Sequence, residues 1–461
     1  MSKELKREVS LLQATSINMI DMVGIGPFVT IPLVIADTGS HFLWAWILGA
    51  LIAFTDAFIW SELGSAFPQA GGSYNFLKES YGKKWGRLLS FLYVWQTSVQ
   101  APLVIASGAI GFSQYASFIF HLDDWGKKIL SGGIVIVLVI LLYREIKTIG
   151  KISVVLWISV IAIILWIIIG GMSYNTPVAN WFSSSIEFPE LSSLFFVALG
   201  HASVKTVYSY LGYYNVCHIG GEIKNPESNI PKSIFISITG ITTLYLLLNL
   251  SIVRVIPWQQ AQKSEFIVST FINHIYGPQI AIIATVMILL IAFSSLFAVM
   301  LGYSRVPYAA AVDGQFFSVF GKLHPTKNFP YISLLALGGA GFVFSLLFRL
   351  GDVITAVLAM RIVVQFIGQA IGVLLLRERT KGTHLPKKSP KRSGQAGQVQ
   401  FRMPLYPLPV IVAVIVWIFI FYSTGIRFMV SGFMMIYAGV RIFYIKDEFR
   451  GNTTASTKFK E

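Results

Sequence analysis

Two short stretches of this sequence have residue types that could do chemistry. Asp21-Met22-Val23-Gly24-Ile25-Gly26-Pro27 lies inside the first long apolar segment, and Ser209-Tyr210-Leu211-Gly212-Tyr213 inside the sixth. Glycine weakens a helix and proline has no N–H to donate. In hydrocarbon an unpaired backbone group costs several kcal/mol. A helix opened at mid-membrane presents free N–H groups on one half and free C=O groups on the other. The N–H end attracts a carboxylate; the C=O end attracts an ammonium or a cation. A zwitterionic α-amino acid carries both charges about one bond apart. Two facing breaks could receive it without a charged side chain. Either stretch alone reads equally well as a kink or a close-packing site, but two breaks at matching places favour a binding site.

Charged residues inside apolar segments are the second signal, because they tend to face a cavity or one another. Asp21, Asp56, His201, Lys205 and Arg361 all fall there. His201, Lys205 and Tyr208 recur at i, i+4 and i+7 and share one helical face. Asp56 or Asp21 is expected to pair with Lys205, as a proton relay or a contact to the substrate side chain. A structural buried pair, or a lysine snorkelling outward, is the plainer alternative. Glu62 and Glu222 stand at the ends of spans two and six, with Arg305 on the same face. They read as an ion-paired inner gate or as ordinary interfacial charges.

The elements that must position these residues are membrane helices. The chain has 461 residues, 55% hydrophobic and 12% charged, with a mean hydropathy of +0.68. A soluble protein carries roughly a quarter charged residues. At about 20 apolar residues per crossing, spans fall near 12–36, 42–65, 87–119, 129–143, 152–172, 191–220, 233–253, 279–304, 329–348, 351–376, 406–424 and 426–444. Span four is short and could begin earlier. With an even number of spans both termini share a side. Of the 36 Lys and Arg, 28 fall on that side and 6 on the other, which predicts cytoplasmic termini in the plasma (cell inner) membrane. The net charge of +15 is thus a topology signal, and no nucleic-acid partner is expected. The N-terminal residues lack a cleavage site after a short apolar core, so they are not read as a removable signal peptide.

Residues 377–405 form a polar, low-complexity segment, read as a cytoplasmic linker. Residues 173–190 and 254–278 are the longest outward loops, and the second could form short helices. Cys217 is the single cysteine, which excludes an intrachain disulfide, and could report access by thiol labelling if it lines the path. No HExxH, CxxC, GxSxG or Walker pattern is present, so neither an enzyme nor an ATP-driven pump is expected, and no cofactor or metal is called for.

Spans one and six are five apart, which suggests two halves, each opening with a broken helix. At this point the motifs resemble those of the amino acid–polyamine–organocation permeases, closest to the prokaryotic L-type, neutral amino acid transporters. "GIGPF" resembles their glycine-rich first-helix motif. "ELGSAFPQAGGSYNFLKESYG" resembles the second-helix signature, and "GGEIKNPESNIPKSI" the loop after helix six. "SRVPYAAAVDGQFFSVFGKLHP" looks like the helix-eight exit. The resemblance implies an all-α membrane protein with the leucine-transporter fold. That is a 5+5 inverted repeat with discontinuous helices 1 and 6 (residues 12–172 and 173–376), two further helices (406–444), and tails 1–11 and 445–461.

It also implies a secondary transporter for amino acids, with polyamine or organic-amine carriage as the alternative and a non-transporting sensor behind it. Carried over by motif position, the Ile25 and Gly26 amides would hold a substrate carboxylate. The Met22 and Leu211 carbonyls would take its ammonium. Gly24 and Gly212 would permit the backbone path, and Tyr208 would gate the site. The motif's usual hydroxyl residue is Ile25 here, and Pro27 has no N–H, so one possible donor is lost. Tyr208, Tyr210, Tyr213, Ile25 and Trp95 were candidates to line the site, leaning it towards apolar or aromatic side chains. Sodium-coupled relatives of the fold use first-helix carbonyls and helix-eight hydroxyls. Ile20, Val23, Ser294 and Ser295 are the corresponding candidates, so Na+ or H+ remain the coupling ions to consider.

Overall fold

The computed structural model describes residues 5–175, 189–347, 350–379 and 401–458, without the side chains of 350–354 and 446–458. The chain is helical throughout these residues. Helix α1 spans Leu11–Met22 and α2 Gly26–Thr38. Ser10 opens α1 with a capping box, its hydroxyl accepting from the Gln13 amide while the Gln13 side chain accepts from the Ser10 amide. Residues 23–25 separate α1 from α2, so the first expected span is two helices. Pro27 sits in the first turn of α2, where a missing N–H costs nothing because that turn has no intrahelical acceptor.

Next come α3 (Phe42–Ala66), α4 (Ser73–Ser80), α5 (Gly82–Phe120), α6 (Asp124–Leu142) and α7 (Ile146–Ser173). Span four begins earlier than its apolar run because Asp123 caps α6, accepting from the Gly126 amide at 2.7 Å. Helix α8 runs Ser193–Tyr210. After an unwound turn at 211–214 the chain makes a single helical turn, α9 (Asn215–His218). The second expected break is therefore also present. Then follow α10 (Pro226–Val255), α11 (Trp258–Ala261), α12 (Ile267–Tyr276), α13 (Pro278–Tyr303) and α14 (Arg305–Val312). The short α11 and α12 occupy the loop expected to form short helices.

Helix α15 spans Tyr331–Leu347. The tenth span is composite: α16 (Leu350–Arg361), a π-helical stretch Ile362–Ile367, and α17 (Gly368–Arg379). Helices α18 (Leu408–Ser423) and α19 (Ile426–Lys458) close the chain. Most of the expected linker, 380–400, and of the outward loop, 176–188, lies outside the described residues.

Among the described residues, eight helical segments are long and apolar enough to cross a membrane, and α15 and α18 are shorter apolar helices. The apolar exterior confirms an integral membrane protein: Ile158, Val286, Ile415 and Met434 are all more than half exposed. Two packing groups stand out. In one, α10 lies against α3 and α1, and α8 lies against α2 and α3. In the other, α5 packs on α13 and α15. The α1–α2 break lies between the groups, because α1 also touches α13.

Candidate functional site

The two breaks face each other. Gly212 has φ +124°, and a Cβ there would lie 2.8 Å from the Met22 amide nitrogen and 2.9 Å from the Asp21 carbonyl carbon. Only glycine fits this approach of one unwound segment onto the end of α1. Gly24 meets α13 as closely: a Cβ on it would stand 2.5 Å from the Ser295 hydroxyl. Cross-links hold the arrangement. The Tyr245 hydroxyl reaches the Met22 carbonyl at 2.7 Å and the Ser209 carbonyl at 3.1 Å. Thr30 and Ser209 share a hydroxyl–hydroxyl bond of 2.9 Å, and the Val216 amide donates to Asn18 Oδ1 at 2.9 Å.

Between the breaks lies a cavity of about 60 Å³, room for a few ordered waters. Asp21, Met22, Gly24, Ile25, Gly26, Tyr208, Leu211, Gly212 and Ser295 line it. The structure thus brings together all seven residues expected to bind substrate. The Ile25 and Gly26 amides stand at the N-terminus of α2, where the helix supplies no acceptor. The Met22 carbonyl differs from expectation. It already accepts from Tyr245 and from the Gly24 amide, which leaves Leu211 as the less encumbered carbonyl for an ammonium. The Tyr208 hydroxyl is held by Ser107 at 2.8 Å.

The expected Lys205 pairing is overturned. Lys205 pairs with Asp37, near the end of α2, one helical turn from the Leu33 carbonyl that it also approaches. Asp21 is on the cavity and Asp56 is buried elsewhere, so neither meets Lys205. His201 is exposed and faces away from the cavity. The serine pair is split as well. Ser295 donates to the Asp21 carbonyl at 3.1 Å, whereas Ser294 donates to Leu290 on its own helix. In this structure the two hydroxyls donate to carbonyls on different helices. Ile20 and Val23 do not line the cavity. Among the described residues no group of three His, Cys, Asp or Glu could hold a metal.

Arg361 is the functional residue whose placement spacing could not give. It is 3% exposed, lines the cavity, contacts the Tyr214 hydroxyl and donates to Gln365 at 2.9 Å. Its guanidinium stacks over Tyr214 and Tyr303, 5.2 and 5.7 Å from the ring centres. It acts electrostatically on Asp21, though the two form no ion pair among the described residues. Its intramembrane position was the only signal in the sequence. Trp95, Tyr210 and Tyr213 do not line the cavity. Trp95 donates to the Met435 carbonyl, Tyr210 packs on Trp46 and Tyr245, and Tyr213 donates to Asp56. Of the five residues expected to line the site, Tyr208 and Ile25 do. Cys217 is buried against the Trp60 carbonyl, off the cavity.

At one end of the bundle two acids are ion-paired. Arg305 reaches Glu222 through two nitrogens, at 3.2 and 3.0 Å, with both side chains almost fully buried. Arg377 clamps Glu62, which also accepts from the Met403 amide. Just beyond the second break, residues 222–224 pair with the N-terminal segment at Glu8 and Val9.

The amino acid permease family matches residues 9–445. The serine/threonine exchanger SteT of Bacillus subtilis (strain 168) is 26% identical, covering 95% of this chain and 97% of that one. Mouse solute carrier family 7 member 13 is 28% identical over 83% of this chain and 80% of its own. The human cystine/glutamate transporter is 24% identical over 84% and 77%. Taken with the facing breaks and the apolar helices, these matches show that the chain belongs to the amino acid permease family and is an amino acid transporter rather than an enzyme.

Proposed function

We propose that this protein exchanges a small neutral α-amino acid by alternating access, with the substrate seated between the two breaks. The observation that carries the reading is the approach of Gly212 onto Asp21 and Met22. It sets the N-terminal amides of α2 and the Leu211 carbonyl around one cavity. The amides of Ile25 and Gly26 take the carboxylate and the Leu211 carbonyl takes the ammonium. Asp21 and Arg361 both line the cavity and its other lining side chains are uncharged, which suits a substrate whose own side chain is uncharged. The cavity's size suits a side chain such as that of serine, in keeping with SteT being a serine/threonine exchanger. A polyamine fits less well, because Arg361 would repel a polycation and Asp56 is off the cavity.

The architecture that we infer is the leucine-transporter fold, with repeats 12–172 and 173–376, additional helices within 406–444, and cytoplasmic termini. The group of α1, α2, α3, α8 and α10 would rock against α5, α13 and α15. The Glu222–Arg305 and Glu62–Arg377 pairs would hold the inner side shut. Counterflow in proteoliposomes tests the reading: vesicles preloaded with serine, threonine, glutamate or a polyamine take up label, with and without sodium. Exchange of serine or threonine supports it. Exchange of amines alone moves recognition to Asp21, and binding without exchange supports a sensor.

A further inference from the structure

We propose that Asp56 is a proton-binding site that couples protons to transport through Tyr213. The inference rests on the reading that substrate sits at the two breaks. Asp56 lies in α3, is 1% exposed and touches no part of the cavity lining. Its Oδ2 accepts from the Tyr213 hydroxyl at 2.7 Å and from Trp60 Nε1 at 3.2 Å; its Oδ1 accepts from Trp417 Nε1 at 3.3 Å. Among the described residues no basic side chain pairs with it. The acids Glu62, Glu222 and Asp37 have cationic partners, and Asp21 shares the lining of the cavity with Arg361. Asp56 has only neutral donors.

The surroundings are few. From its own helix comes Trp60, with His218 edge-on to that indole. From the second break come Tyr213 and the adjoining Tyr214, with Arg361 acting on Tyr213 from the far side. From α18 comes Trp417. Among the described residues no ion pair reaches the carboxylate from α8, α10 or α17.

The donor inventory makes protonation consequential. An indole N–H can only donate, whereas a tyrosine hydroxyl can donate or accept. With Asp56 ionised, its two oxygens satisfy three donors. Protonation adds a fourth donor, the carboxylic O–H, to a cluster in which only Tyr213 can turn acceptor. Of the three donors, Tyr213 is the one that can release its own hydrogen bond and turn to accept the new O–H. It follows Gly212 in the unwound segment, so the charge state of Asp56 is read at the substrate site. Trp417 carries a second arm: it stacks on Phe366 at 4.0 Å, in the π-helical stretch that follows Arg361. Asp56 therefore ties together α3, the second break and the tenth span, whose relative placement must change during alternating access. A group with different proton affinities in the two states couples proton binding to that change.

Two measurements test this. In the first, exchange of labelled serine is followed in proteoliposomes against pH and under an imposed pH gradient. The wild type is expected to accumulate label several-fold in response to the gradient, and Asp56→Asn to lose that response and flatten the pH profile. A gradient response and pH profile that Asp56→Asn leaves unchanged overturns the proposal. In the second, infrared pH-difference spectra of the purified protein need no substrate. A protonated-carboxyl band is expected that Asp56→Asn removes and Tyr213→Phe shifts. If Asp56→Asn does not fold, Tyr213→Phe carries the test alone; a band and gradient response that it leaves unmoved would overturn the coupling. Failure of all exchange with the band intact refutes the transport reading and not the proton site.

Discussion

Replacing Gly212 by alanine should weaken substrate binding about a hundredfold. The new Cβ would stand 2.8 Å from the Met22 amide nitrogen and 2.9 Å from the Asp21 carbonyl carbon, both backbone atoms that cannot swing aside. Ordinary contact needs about 3.5 Å, so the two breaks must part by roughly 0.7 Å. The φ of +124° is disfavoured for any L side chain, at about 1–3 kcal/mol. A total near 3 kcal/mol, expressed between the halves that form the cavity, is about two decades in affinity. Gly425 supplies the control. Its φ is +85°, yet a Cβ there meets nothing within 4 Å, so Gly425→Ala carries the strain without the clash and should leave affinity unchanged. Binding of labelled serine to detergent-purified protein measures both. A Gly212→Ala variant that binds within threefold of wild type would refute the argument that the two breaks jointly form the seat.

Three further outcomes follow from other contacts. Arg361→Gln removes a charged hydrogen bond to Tyr214, worth about 1.5–3 kcal/mol, and should raise the KM for exchange at least tenfold; an unchanged KM would place the guanidinium outside recognition. Glu222→Gln leaves Arg305 buried without its partner, at about 3–5 kcal/mol, and should lower the melting temperature markedly, which a thermal-shift assay reads directly; an unmoved transition would mean the pair adds nothing to stability. Lys205→Ala breaks a pair whose side chains are 25% and 24% exposed; at about 0.2–1 kcal/mol it should leave the exchange rate within about twofold and its pH profile unmoved, and a changed profile would return Lys205 to a proton role.

Much of the site was legible because a membrane helix has little reason to carry glycine at its centre. Gly24 and Gly212 marked both breaks, and the helix ends they create follow from backbone chemistry alone. Span four was read short because Asp123 and Asp124 start its helix ahead of the apolar run. Side-chain partners were not legible. Asp21 and Asp56 were the acids expected for Lys205, and only the packing of α8 on α2 brings Asp37 to it. Ser294 and Ser295 looked like a pair in sequence, but packing gives them different acceptors, Leu290 on their own helix and Asp21 on α1. Arg361 gave away its burial but not its neighbours, since the tenth span had to be folded against the sixth to bring Tyr214 to it. Tyr213 was read as lining the site from proximity to Gly212, when the unwound turn aims it at Asp56.

The central claim is that backbone groups of the two breaks hold both ends of a zwitterion. The most direct measurement is competition against serine exchange by serine itself, its methyl ester and its N-acetyl derivative. The ester removes the carboxylate charge, and acetylation removes the ammonium. The account predicts that serine competes and that both derivatives are at least a hundredfold weaker. An ester that competes as well as serine would contradict it, because the amides of Ile25 and Gly26 would then hold no carboxylate.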